Sequence, residues 1–254
     1  MAQLYEGKMA AIFDAMYQTF INYDEEYTFY NQLITENKAT TVLEIGSGTG
    51  NLAKRFHENQ QDYIGLDYSQ SMIDIAEKRN PNCVFIQGDM REFKLKKTVD
   101  AILITGRSTS YLESNTDVNT TFEAIHKNLD KDGILIFDFI DANRFIPFIK
   151  ANQTVVHQAN YEETDYYRDS SWKTNASENF MIEWTAQYYM LKNGSKEILA
   201  DDFSILRVFT LNEIQLFLYL NGFEILKIID RKTYAYDTYV IVAKKVAAKK
   251  NPEH

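Results

Sequence analysis

Cysteine is almost absent from this 254-residue chain: Cys83 stands alone, so no internal disulfide can form, and its place at the start of an apolar stretch marks it as a small core residue. Histidine is nearly as scarce. His57, His126, His157 and His254 show no metal-ligand spacing with one another or with Cys83, which argues against a metal site. Positive charge is in deficit, with 27 Lys and Arg against 36 Asp and Glu, and the net charge of −9 lacks the basic footprint that nucleic-acid phosphates require. Lys94, Lys96 and Lys97 form a short solvated cluster instead. No apolar run approaches the ~20 residues of a membrane helix. The early Glu6 and Lys8 do not fit a signal peptide. The expectation is a soluble cytoplasmic protein, monomer or homodimer, with neither nucleic acid nor membrane as partner, and with one substantial core.

What the chain does contain is a glycine-dense turn between a short apolar strand and a helix, TTVLEIGSGTGNL from Thr41. Gly46, Gly48 and Gly50 remove side chains where a ligand must touch backbone. The spacing is GxGxG, whereas a dinucleotide fingerprint is GxGxxG. Glu44, just before the first glycine, would repel a pyrophosphate but tolerates a cofactor bearing an amino group and a sulfonium, which describes S-adenosylmethionine. A second strand, YIGLD, ends in Asp67, placed to accept from both ribose hydroxyls. That position alone would serve NAD equally well. A third segment, CVFIQGDM, puts Asp89 and Met90 at a strand end, where a carboxylate can accept from an adenine amine beside an apolar wall.

Through EIGSGTG, LDYSQSM, QGDM and the strand DAILIT, in that order, the chain resembles the class I S-adenosylmethionine-dependent methyltransferases, well over residues 10 to 140 and more loosely over Leu206 to Ile225. IFDAMY near the start and GRSTSYL after the fourth strand are most similar to small-molecule enzymes, including the nucleotide-sugar amine N-methyltransferases. The resemblance implies an α/β fold: a Rossmann-like sheet of seven strands, mostly parallel with an antiparallel last strand, plus an antiparallel β insertion over the active site. It implies methyl transfer to nitrogen or oxygen of a small-molecule acceptor, with nitrogen preferred and S-adenosylhomocysteine as product. It also implies cofactor contacts from the backbone at Gly46, Ser47 and Gly48, from Asp67 on the ribose, from Tyr68 and Met72 beside the adenine, from Asp89 and Met90 at its edge, and from the Thr105 carbonyl, with Glu44 orienting the loop.

Tyr17 takes the place of a tyrosine that faces the transferring methyl in the sugar-amine enzymes, or else is core on the stripe shared with Phe13. Tyr111 is a candidate to hold or relay a proton where substrate approaches. Arg107 departs from the family's small or acidic residue and offers a pair for a substrate anion. His157, in the insertion, is a candidate base or a structural cap. Two other readings stay open, a non-catalytic S-adenosylmethionine-binding regulator and a nicotinamide-dependent oxidoreductase.

Hydrophobic periodicity divides the chain further. Residues 1–38 read as two covering helices, with Leu4, Met9, Ile12, Phe13, Met16, Tyr17 and Phe20 on one stripe. Residues 39–145 and 206–246 read as the cofactor-binding core, 146–205 as an antiparallel substrate-side insertion, and 247–254 as a frayed tail. Strands are expected near 41–45, 63–67, 83–87, 100–105 and 133–140, with closing strands at 223–229 and 237–243. In the insertion TVVHQANYEE and NFMIEWTAQYYML read as strands, and Asn193-Gly194 as a hairpin turn.

Overall fold

The computed structural model describes residues 7–152, 154–174, 181–233 and 236–246. Leu4 of the first stripe and the tail 247–254 lie outside the described residues. The chain opens with α1 (Gly7–Tyr17) and α2 (Tyr23–Glu36). Asn22 starts α2 because its side-chain oxygen accepts from the backbone of Asp24 at 3.1 Å and Glu25 at 3.3 Å, and Asp24, Glu25 and Glu26 favour the same end of the helix dipole. Then follow β1 (Thr41–Ile45), α3 (Ala53–Glu58), β2 (Asp62–Asp67), α4 (Gln70–Arg79), β3 (Val84–Gln87), β4 (Val99–Ile104), α5 (Asn115–Asn128), β5 (Leu129–Asp138) and α6 (Ala142–Ala151).

A seven-stranded sheet has the order β10-β11-β5-β4-β1-β2-β3, closed by α7 (Leu211–Leu220), β10 (Phe223–Arg231) and β11 (Thr238–Lys245). Five strands pair in parallel, and β11 runs antiparallel to both β5 and β10. The last strand is thus the reversed one, as the resemblance implies. β1, β4 and β5 read as apolar runs because helices cover both faces, and Val42, Leu43, Ile45 and Ala101 to Ile104 are buried. The chain winds from β1 outward to β3, then returns to β4 on the other side of β1. Strand order therefore reverses between β1 and β4, and the crevice beyond their carboxyl ends is where such sheets bind ligands.

The second sheet is antiparallel, β6 (Thr154–Tyr161), β7 (Thr164–Thr174), β8 (Met181–Lys192) and β9 (Ser195–Arg207) in sequential order. Its inner face packs on α1 and α6 through Ile12, Met16, Phe145, Ile182, Trp184 and Tyr188. The β8–β9 hairpin turns at Asn193 (φ 52°) and Gly194 (φ 78°), as their sequence predicts. Two elements differ from expectation. β7 is a full strand in a stretch to which the sequence assigned none, and it is reached by a tight turn in which Glu162 (φ 49°) and Glu163 (φ 59°) are both left-handed without glycine or asparagine. α6 forms over residues expected to be the edge of the insertion and carries Pro147 inside it.

Candidate active site

The glycine turn is built by close approach. The N–H groups of Gly46 and Ser47 both donate to the Leu66 carbonyl, at 2.7 and 3.1 Å, which folds the turn over the end of β2. Gly46 has φ 73°, and a Cβ there would lie 2.5 Å from the Ser108 hydroxyl oxygen, so both conformation and space demand glycine. Gly48, at φ 53°, is different: a Cβ would meet nothing within 4 Å and would point into open space. That space is a cavity of about 740 Å³ bounded by α1, the glycine turn, the β2–α4 junction, the 3-10 turn Ser108–Tyr111 after β4, and the end of β9. Its size falls in the range of small-molecule sites.

Asp67 organises the cavity wall. One carboxylate oxygen accepts from Gly48 N–H at 2.8 Å and the other from Ser69 N–H at 2.9 Å, so a single side chain fixes the glycine turn and the start of α4. Burial pushes its carboxyl up, and the N–H groups of Ser69, Gly48 and Tyr68 oppose the shift. The carboxylate retains acceptor capacity for a ligand. Glu44 lies beneath the turn, 3 % exposed, and accepts from the Tyr63 hydroxyl at 2.5 Å and the Thr105 hydroxyl at 2.9 Å. Burial raises its carboxyl to about 7 against the pull of those bonds. It ties β1 to β2 and to the end of β4. The Thr105 carbonyl accepts from the Ser108 hydroxyl at 2.9 Å. Asp89 is gripped by Arg91, whose Nε and Nη2 reach it at 2.9 and 2.5 Å, and this guanidinium holds its carboxyl below the ordinary range.

All the expected site residues except Arg107 and His157 line this cavity. Met72 is buried in its wall, and Tyr68 and Tyr111 stand at its edge, 51 % and 45 % exposed. Tyr17, at the end of α1, lines it while stacked on Phe13 at 4.0 Å between ring centroids. Arg107 does not face the cavity. Its backbone is left-handed (φ 62°), its N–H donates to Asp138 at 2.7 Å, and its guanidinium donates to Thr233 and the Tyr236 carbonyl while lying 4.2 Å from the Tyr236 ring centre. The expected substrate-anion partner is thereby committed to the turn before β11. His157 sits on the insertion sheet, where its Nδ1 lies 3.1 Å from the Arg168 guanidinium and its ring contacts Phe20. Burial and the Arg168 charge lower its pKa to about 4.

Asp14 was not foreseen. Only 7 % exposed on α1, it accepts from the Thr49 hydroxyl, from Asn51 at 2.9 Å, from Gln18 at 2.6 Å and from Arg79 at 2.6 Å. Arg79 also donates to the Thr49 carbonyl at 3.0 Å. This clasp fastens α1 onto the glycine turn and α4, which holds Tyr17 and Phe13 as a roof. The one sequence signal was a carboxylate inside an apolar stripe, between Phe13 and Met16.

The cavity fits an adenosyl cofactor on three observations. Gly48 leaves an open cradle, the Ser47 hydroxyl is buried in the wall without a hydrogen-bond partner among the described residues, and Asp67 offers acceptors at the end of β2. Among the described residues no cluster of metal-ligating side chains occurs, and no helix is long and apolar enough to cross a membrane.

A wound sheet with a glycine turn after its first strand, a carboxylate after its second and a helical roof over the reversal point defines the class of nucleoside-cofactor-binding α/β proteins. Within that class, residues 36–195 match the methyltransferase domain family, and the chain belongs to it. It is 29 % identical over 139 residues to a putative methyltransferase of Bacillus subtilis, an alignment covering 53 % of this chain and 55 % of the relative. It is 28 % identical over 101 residues to a dTDP-3-amino-3,4,6-trideoxy-alpha-D-glucopyranose N,N-dimethyltransferase of Streptomyces venezuelae, covering 40 % and 43 %. The chain thus spans about half the length of these curated relatives. In three dimensions it is similar to Streptomyces venezuelae DesVI, with a TM-score of 0.81, 19 % identity and coverage of 96 % and 100 %. It is also similar to the S-adenosylmethionine-bound amino pentose methyltransferase CalS10 of Micromonospora echinaspora, at 0.77, 18 %, 92 % and 97 %.

Proposed function

We propose that this chain transfers the methyl group of S-adenosylmethionine to the nitrogen of a small-molecule amine. One observation carries the reading: the glycine turn, the Asp67 carboxylate and the strand end at Asp89 converge on one cavity that Tyr17 roofs from α1. On this reading residues 39–145 and 206–246 bind the cofactor, and 1–38 with 146–205 shape the acceptor side. The similarity to a dTDP-amino-sugar N,N-dimethyltransferase supports nitrogen as the acceptor atom.

When bound, S-adenosylmethionine supplies an electrophilic methyl on a sulfonium, with a neutral thioether as leaving group. No acid is needed for such a leaving group, so the protein's task is positioning and exclusion of water. Asp67 accepts from the ribose while its other lone pairs keep the Gly48 and Ser69 N–H groups. The backbone at Gly46, Ser47 and Gly48 and the Ser47 hydroxyl surround the methionine portion, and the Thr105 carbonyl takes its ammonium beside the Ser108 hydroxyl. Tyr68 and Met72 flank the adenine. Asp89, steadied by Arg91, and the backbone of Met90 take its edge. Phe13 and Tyr17 shut out water from above, and Tyr111 holds the acceptor at the mouth. Glu44 is a positioning residue, keeping Thr105 in place from below.

Calorimetric titration with S-adenosylmethionine and S-adenosylhomocysteine, with NADH as control, tests the proposal: micromolar binding of the first two alone is expected, and silence toward both would overturn it. Tyr17→Phe in the same preparation should lower kcat on an amine more than it weakens cofactor binding. Equal turnover would return Tyr17 to a packing role.

A further inference from the structure

The cavity is acidic to a degree that bears on its acceptor. Six lining residues are carboxylates, Asp14, Glu26, Glu44, Asp67, Asp89 and Glu113, and the lining includes one cation among the described residues, Arg91. Arg91 is already engaged, 2.5 Å from Asp89 and 3.1 Å from Asp117. Asp14 and Glu26 are matched from behind by Arg79 at 2.6 Å and Arg231 at 2.7 Å. Glu44 is held by two hydroxyls. Asp67 and Glu113 have no ion pair among the described residues, and Glu113 lies exposed on the rim.

Three further arginines outside the lining are engaged. Arg107 serves Thr233 and Tyr236, and Arg207 serves Glu213 and Asn115 while reaching the Glu113 carbonyl at 3.4 Å. Arg168 is 4 % exposed and outside the lining, bonded to His157 and Tyr188, with its guanidinium 5.4 Å from the Tyr17 ring centre. A diphosphate entering past the bound cofactor would meet the Glu113 carboxylate, which has no ion pair among the described residues, with no unengaged cation in the lining to offset it, and like charges repel. The mouth is also aromatic. Phe203, with 58 % of its surface in water, lines it, as do the half-exposed Tyr111 and the less exposed Tyr17. Aromatic faces attract ammonium groups.

Resting on the proposed methyl transfer, we infer that the acceptor is an amine, cationic in solution and carried on an aromatic or apolar body, and is not a nucleoside-diphosphate sugar of the kind named for the Streptomyces venezuelae relative. The Glu113 carboxylate at the rim draws the ammonium in, and Tyr17, Tyr111 and Phe203 wall its apolar part. Before it attacks, the ammonium gives one proton to water. The acidic surroundings oppose that loss, so turnover rises with pH beyond neutrality.

The test is calorimetry on the full chain saturated with S-adenosylhomocysteine, using tyramine, phenethylamine and thymidine 5′-diphosphate as probes. Binding of an amine that weakens as salt is raised, with no heat from the diphosphate, is the expected result. Saturable diphosphate binding would overturn the inference, and so would silence toward both amines. Glu113→Gln should weaken amine binding about two- to fivefold, the range for one exposed ion pair, and flatten its salt dependence; unchanged binding and salt dependence would remove Glu113 from the argument and overturn the electrostatic selection at the rim. The saturating titration separates the two proposals: absent S-adenosylhomocysteine binding sinks the methyltransferase reading, whereas binding followed by diphosphate capture sinks this inference alone.

Discussion

Replacing Asp14 with alanine would unfasten α1 from the site it roofs. The carboxylate is the common acceptor for Thr49, Asn51, Gln18 and Arg79, so one truncation cuts every clasp bond made by Asp14 and leaves Arg79 holding only Thr49 and Asn51. Breaking a buried ion pair costs about 3–5 kcal/mol. Here the Asp14 side chain is 8 % exposed but that of Arg79 is 29 %, and water can take over part of its bonding. A loss of about 2–3 kcal/mol follows, which at about 2–4 °C per kcal/mol for a chain of this size lowers Tm by roughly 5–10 °C. Circular dichroism melts with and without S-adenosylhomocysteine would read it, and the ligand-induced rise in Tm should shrink because the glycine turn loses its brace. The pH dependence is a second check. Burial alone would raise the Asp14 carboxyl, but hydrogen bonds from Arg79 and Thr49 outweigh it and hold the carboxyl below its ordinary 3.8. The clasp therefore contributes fully above that value and fades as pH falls through the lower folded one, and the alanine variant lacks this acid-sensitive share. A variant that melts with the parent at every pH and binds the ligand equally well would refute the clasp.

Asp67→Ala should weaken S-adenosylmethionine by about 10- to 200-fold, because a hydrogen bond to a charged group is worth ~1.5–3 kcal/mol; calorimetric affinity at the parent's level would contradict the ribose assignment. Glu44 is raised in the fold to about 7 from 4.5, so its contribution is present below pH 4.5 and is lost as pH rises through about 7, and Glu44→Gln should abolish that slope in chemical denaturation measured across the window. His157, held neutral with its pKa lowered to about 4, should leave no inflection in the pH–rate profile near its ordinary value of 6.5, so His157→Gln should superimpose on the parent there once an amine substrate is in hand.

The parts of the site carried by backbone were legible in the sequence. Ile45-Gly46 and Leu66-Asp67 each mark an apolar strand, buried on both faces, at the point where it ends, and a parallel sheet brings such ends together whatever the side chains do next. Side-chain direction was not legible. Arg107 follows β4 at the expected mouth, yet Asp138, Thr233 and Tyr236, from 31 to 129 residues away, turn it aside. Asp14 takes its role from partners at Thr49 and Arg79, 35 and 65 residues on, and no local periodicity encodes that. β7 escaped for a related reason. Its inner face carries Arg168 and Ser170, 4 % and 1 % exposed, so polar residues occupy both faces and the apolar alternation that announces a strand is missing. The same polarity is informative in the folded chain. A sheet that buries an arginine 5.4 Å from the Tyr17 ring, yet lends Phe203 and not that guanidinium to the lining, contributes ring surface rather than positive charge to the cavity. On the proposed reading, acceptor choice depends on the Glu113 carboxylate and the aromatic rings left facing the mouth, which only the assembled structure brings together.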